Sequence, residues 1–250
     1  MRALRGLAGG LVVGALLTTA LAWAEPPSQP PAGEGGPAAS DEELNILLSR
    51  VAKHARRIEQ MEKRASFVLK GRMEELDRQG KIDGTKELVV RVIAKPSERI
   101  LEIVRYLEDG ADKTAEARER QKREEAKPQD PKKKFTLPFS PTEQARYRFS
   151  IAERSKGRLR VAFQPLEVAE NAYAGSAWID LESGELLTMG FSPSKNPIFV
   201  DQVDIRVRFE NPTSLGRAPS AISFEARGSL LLFKKHFRGS ATLSDAKIAF

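Results

Sequence analysis

The 250-residue chain contains no cysteine and only two histidines. The first absence excludes disulfide staples, thiol chemistry and a lipobox cysteine, so the fold must be held by core packing alone. The second leaves little for metal or acid–base chemistry. His54 and His236 do not form a His-Glu-x-x-His pattern, and no Gly-x-Ser-x-Gly elbow is present. A phosphate-binding Gly loop is also missing, because Gly33-Glu34-Gly35-Gly36 falls in a Pro/Gly/Ala/Ser stretch that cannot order itself. Acid pairs such as Glu74 and Glu75 are too common in so charged a chain to nominate a glycosidase. An enzyme is therefore the least expected function, and no cofactor or metal is implied.

Long apolar runs are absent after residue 24. The one near the start, Leu7 to Leu21, follows Arg2 and Arg5 and precedes an A-x-A site at Ala22, Trp23 and Ala24. It is shorter than the ~20 residues of a spanning helix, which favours a cleavable signal peptide (1–24) over a membrane anchor. The expected location is the periplasm, with the extracellular space as the alternative. Residues 25–39 read as a disordered tether, and 40–250 as one folded domain. Without the leader the formal charge of +7 falls to +5, because Arg2 and Arg5 go and no acid does. That excess sits largely in the mixed-charge stretch Lys113 to Lys134 rather than along one stripe, so nucleic acid is not an expected partner.

Ser40 and Glu43 form a capping box. Leu44, Leu47, Leu48, Val51, Ala55, Ile58 and Met61 then recur at helical spacing, predicting one amphipathic helix. Beyond Ala65 the period drops to two. Phe67 to Met73, Leu88 to Ile93 and Ile100 to Leu107 predict a three-stranded meander, and strand candidates recur from Arg158 to Phe250 between Gly, Pro, Asn and Ser turns. Phe199 to Phe209 alternates most clearly, with Val203, Ile205, Val207 and Phe209 opposite Asp204, Arg206 and Arg208. Asp112 to Ala126 is charged without an apolar stripe, so 109–134 reads as a helical insertion and an exposed excursion. Ser140-Pro141-Thr142-Glu143 predicts no more than one helical turn. The expected fold class is mainly β (α+β): a curved antiparallel half-barrel of roughly ten strands, with a closed barrel as the competitor.

One stretch carries a resemblance: Gly175-Ser176-Ala177-Trp178-Ile179-Asp180, the turn Glu182-Ser183-Gly184, and Ser192-Pro193-Ser194-Lys195-Asn196-Pro197. It resembles exported bacterial proteins related to outer-membrane lipoprotein-sorting carriers, the LolA-like group. The resemblance implies a half-barrel with a helical lid over an apolar cavity that holds acyl chains.

Other signals carry bland readings. His54 reads as a solvent-side helix residue and His236, among Lys234, Lys235 and Arg238, as a surface one. Trp178 reads as sheet packing rather than a stacking platform, Lys195 and Asn196 as turn formers, and Asp109-Gly110 as a turn rather than a calcium loop.

The expected function is a non-catalytic binding or carrier protein for an acyl chain, lipoprotein or other amphiphile. The candidate lining is Phe67, Leu69, Val90, Val92, Leu159, Val161, Phe163, Val203, Ile205, Val207, Phe209, Ile222 and Phe224. The same residues are plain core if the helix fills the sheet. The alternative is a structural or regulatory envelope protein that binds a protein partner, with peripheral membrane contact through the charged segment left open.

Overall fold

The computed structural model describes residues 41–96, 98–126, 135–169, 171–196, 200–230 and 233–248. The expected signal peptide (1–24) and tether (25–39), the Ser40 cap, Lys127 to Lys134, Pro197, Phe199 and Phe250 lie outside the described residues.

Helix α1 spans Asp41–Arg64 and passes directly into strand β1, Ala65–Leu76, at the residue where the hydrophobic period changes. Strands β2 (Ile82–Ala94), β3 (Arg99–Glu108) and the short β4 (Ala111–Asp112) complete the first meander, followed by helix α2 (Thr114–Glu125). One turn of 3₁₀ helix at Gln144–Arg146 leads into β5 (Tyr147–Ser155), β6 (Arg158–Pro165), β7 (Tyr173–Asp180), β8 (Leu186–Pro193) and β9 (Val200–Arg208). A small ribbon, β10 (Asn211–Thr213) with β11 (Gly216–Ala218), precedes β12 (Ala221–Leu230) and β13 (Phe233–Ile248).

Eleven strands form one antiparallel sheet in the order β4-β3-β2-β1-β13-β12-β9-β8-β7-β6-β5. The competitor expected from sequence, a closed barrel, is not what forms: β4 and β5 end the order and do not pair among the described residues. The sheet is open, as a half-barrel requires. The ribbon β10–β11 lies where Asn211, Pro212 and Gly216 signal only turns in the sequence. Each of its strands has three residues, too short for alternation to register.

The charged insertion forms the predicted helix, but not as a free excursion. β3 is the last long strand at its end of the sheet, and α2 lies along it. Arg118 Nε donates to the Ile103 carbonyl at 2.8 Å and Gln121 Nε2 to the Leu101 carbonyl at 2.8 Å. The Tyr106 N–H donates to Thr114 Oγ1 at 2.9 Å, and Ala117 is buried. A helix without an apolar stripe is thus held by side chains that satisfy an exposed strand edge, a device that blocks edge-to-edge pairing.

The chain leaves the sheet at β4 and re-enters at β5, the opposite end. The described part of the connection, from Phe135 on, lies over the apolar face: Phe139 is fully buried against Phe163 and Phe149, and Phe135 stacks on Phe191 at 5.4 Å. Replacing both Arg118 and Gln121 by Ala should add a larger, concentration-dependent species in sedimentation velocity relative to the parent chain. An unchanged distribution would show that α2 does not guard the edge.

Candidate functional site

Cross-strand register decides which side chains share a face, and it places all thirteen sequence candidates on the apolar one. Phe163 and Val161 of β6 sit opposite Gly175 and Ala177 of β7, which sit opposite Phe191 and Met189 of β8. These in turn face Ile205 and Val207 of β9, then Phe224 and Ile222 of β12. At the other end Phe67 and Leu69 face Val92 and Val90. The candidates are therefore brought onto one surface, but most of them are closed off as core. Leu159, Val161, Phe163 and Val92 have no exposed area, and Phe67, Leu69, Val90, Val203, Ile205 and Phe209 are buried.

Two separate cores cover this face. The larger joins Leu47, Val51 and Ala55 of α1 and the crossing residues Leu137 and Phe139 to strands β5 to β9. The smaller joins Met61, Ala117 and Ala218 to β1, β2 and β3. Between them runs a strip that neither closes. Val207, Ile222, Phe224 and Ala226 from one side and Met73 and Leu243 from the other are only partly buried. Gly239 sits in this strip because a Cβ there would stand 2.4 Å from the Phe224 ring. Gly175 is required by a tighter approach, since its Cβ would lie 2.1 Å from the Gly190 carbonyl oxygen. The crossing residues Phe135, Leu137 and Phe139 and the β8 residues Met189 and Phe191 belong to the same face, though none was a candidate. Their signal was present, since Phe135, Leu137 and Phe139 alternate with Thr136 and Pro138, and Met189 and Phe191 with Thr188 and Gly190.

The position of α1 over the sheet is fixed by polar anchors. Gln144 Nε2 donates to the carbonyls of Leu48 and Phe139, both at 3.0 Å, Arg50 donates to the Leu181 carbonyl at 2.9 Å, and Arg154 pairs with Glu43 at 2.6 Å. His54, expected at the solvent side, is instead 1 % exposed. The Leu186 N–H donates to its Nδ1 at 2.9 Å, and its Nε2 lies 2.8 Å from the Arg217 carbonyl, an acceptor only. This pair of contacts requires a neutral ring with its proton on Nε2. The correction has a simple physical reason: α1 is clasped between the β7–β8 turn and the β10–β11 ribbon, and the imidazole supplies both a donor and an acceptor there.

Of the remaining sequence signals, Trp178 lies on the opposite, polar face, where Arg158 stacks on its ring at 4.7 Å. His236 is held by Glu225 at 2.8 Å. Asn196 donates to the Asp201 carbonyl at 3.3 Å, consistent with shaping the loop. Asp109 and Gly110 form a turn with φ of 51° and 80°. Among the described residues no group of three or more His, Asp or Glu side chains is placed to hold a metal ion, and no helix is long and apolar enough to cross a membrane.

No family model and no curated protein matches the chain. Solved structures similar to it include a LolA superfamily protein from Nitrosomonas europaea, at 10% identity and TM-score 0.30, covering 78% of this chain and 93% of that one. A DUF1329 family protein from Desulfovibrio piger is similar at 10% identity and TM-score 0.37, covering 80% and 92%. The Pseudomonas aeruginosa MucA/MucB complex contains a further similar chain, at 11% identity and TM-score 0.23, covering 80% and 99%. At these scores the fold rests on the chain's own strand order and register.

Burial pushes the His54 imidazole below its ordinary value of 6.5, offset in part by the Arg217 carbonyl and the Glu185 carboxylate, with Arg57 and Arg217 adding to the lowering. A base whose folded value is depressed contributes stability above its unfolded value and loses it as pH falls through the folded one. Urea midpoints between pH 7.5 and 5.5 should therefore drop below about pH 6.5 in the parent chain. The drop should be smaller in His54→Gln; equal drops would place the titration elsewhere.

Proposed function

We propose that this chain is a non-catalytic binding protein of the cell envelope that takes the apolar part of an amphiphile on the half-buried strip of its sheet. The observation that carries the reading is the gap between the two cores. Val207, Ile222, Phe224, Ala226 and Met73 belong to a continuous apolar face yet keep accessible surface side by side, and contiguous apolar surface of this kind marks binding sites. Covering that surface is worth about 25 cal/mol per Å², or roughly 0.8 kcal/mol per buried methylene, so affinity should rise with chain length until the strip is full. The carrier-like resemblance of the Gly175 to Pro197 segment agrees with this reading and adds the expectation of an acyl chain. The strip replaces the wider lining expected from sequence, because the flanks are occupied by α1 and by Phe135 to Phe139.

That occupation favours a second reading, a regulatory envelope protein whose surface engages a protein partner. If α1, pinned by Gln144, Arg50 and His54, never leaves the sheet, the apolar flanks are structural and only the surface is free to bind.

Titrating the mature protein with a fluorescent long-chain fatty acid distinguishes them. Saturable binding is expected, weakened about tenfold or more by Phe224→Asp, because a charge placed on the strip removes apolar area and must be desolvated when the ligand covers it. Circular dichroism and the unfolding midpoint of the variant identify any loss of fold. The absence of saturable binding to the folded parent chain would leave the partner reading standing.

A further inference from the structure

The opposite face of the same central strands carries two adjoining clefts of about 400 and 340 Å³, which share Arg72 and Ser240. The first runs along Arg206, Ser223, Ser240 and Arg72; the second continues past Arg72 and Lys70 over β2 and β3, where Glu87, Val89, Arg105 and Leu107 line it, and neither reaches Arg208 or Ala221. Register sets the rows from which they are built. Across β9, β12, β13 and β1 one outward row reads Arg206, Ser223, Ser240, Arg72, and the next reads Arg208, Ala221, Thr242, Lys70. Both rows have the same order: cation, small, small, cation. The result is a trough two strands wide, floored by short side chains and walled on each side by two cations.

Three strand spacings put the wall residues' Cα atoms roughly 14 Å apart. An arginine or lysine side chain reaches about half that distance, so opposite walls can meet over the floor on a group the size of a phosphate. The floor hydroxyls of Ser223, Ser240 and Thr242 point to solvent and can donate to it. The wall cations are not spent on neighbours alike. Arg72 pairs with Glu74 at 3.0 Å and Glu87 at 3.2 Å, and Arg208 lies 3.7 Å from Glu210. Arg206 and Lys70, diagonally opposite, are exposed and make no ion pair among the described residues.

Acids close one end of the trough, and each has donors of its own. Asp204 accepts from Ser192 and Gln202, Glu74 from Arg238, and Glu225 from Arg227 and His236. With Arg238 they line the first cleft beside the row that holds Arg206.

We propose that this trough is a binding site for a phosphate-type oxyanion, as free phosphate or as a phosphate ester, held between Arg206 and the Arg72/Lys70 wall on a floor of hydroxyls. The site is independent of the apolar strip, which faces the other way.

The test uses the mature chain at low ionic strength, because exposed charges are screened within about 10 Å at 0.1 M salt. Inorganic phosphate is titrated calorimetrically, and flotation measures binding to phosphatidylglycerol vesicles against phosphatidylcholine. Arg206→Glu, and separately Ser223→Val with Ser240→Val, should each weaken binding about tenfold or more. The valine pair fills the floor without changing the charge. Lys156→Glu in the β5–β6 turn makes the same charge change elsewhere and should leave binding intact. Saturable binding of inorganic phosphate with this variant pattern assigns a soluble anion. Phosphatidylglycerol binding alone with the same pattern assigns a lipid headgroup. No saturable binding of either probe, or equal loss in Lys156→Glu and Arg206→Glu, overturns the site.

Discussion

The pairing of β1 with β13 holds the architecture together. Eleven residue pairs run from Ala65 with Ile248 to Leu76 with His236, joining strands from opposite ends of the described chain. Without that ladder the chain is two separate meanders, β1 to β4 and β5 to β13, each with an exposed edge that invites other strands. The cost of bringing distant segments together grows only with the logarithm of the loop between them, so the ladder is thermodynamically accessible. It is a long-range contact, however, and sheets built on such contacts form slowly.

Both proposed binding surfaces depend on that ladder. The apolar strip lies where the two cores meet, on β9, β12, β13 and β1, and the cation-walled trough lies on the reverse of the same four strands. Side chains alternate across a sheet, so Val207 and Ile222 face one way while Arg206, Arg208 and Ser223 face the other. The two faces have opposite chemistry at nearly one place in the sequence. An amphiphile with an anionic head carries those two chemistries in one molecule, but the sheet itself separates the sites.

What was legible in the sequence was local. The switch of period at Ala65 marked the end of α1, alternation in Val203 to Phe209 identified the core face of β9, and Ser140 to Glu143 carried a single turn. What was not legible depended on partners distant in the chain. Nothing near His54 shows that it will meet Leu186 and Arg217, because that contact exists only after the β7–β8 turn and the ribbon dock on α1. The thirteen candidates share the apolar face, but their coverage by Phe135 to Phe139 was hidden, since the alternation of Phe135, Leu137 and Phe139 does not show which distant surface those side chains will cover. The trough was invisible for the same reason: Arg206 and Lys70 acquire their relation through the register of four strands. α2 reads as an all-polar helix because its fixing contacts are Arg118 and Gln121 reaching backbone carbonyls rather than an apolar stripe.

Native-state hydrogen exchange of the β1 and β13 amides tests the central claim most directly. If the ladder joins the sheet into one cooperative unit, these amides should exchange with the global unfolding free energy, together with the core of β6 to β9. If β13 exchanges as a frayed terminal strand while β6 to β9 stay protected, the two meanders are held together by something other than this pairing.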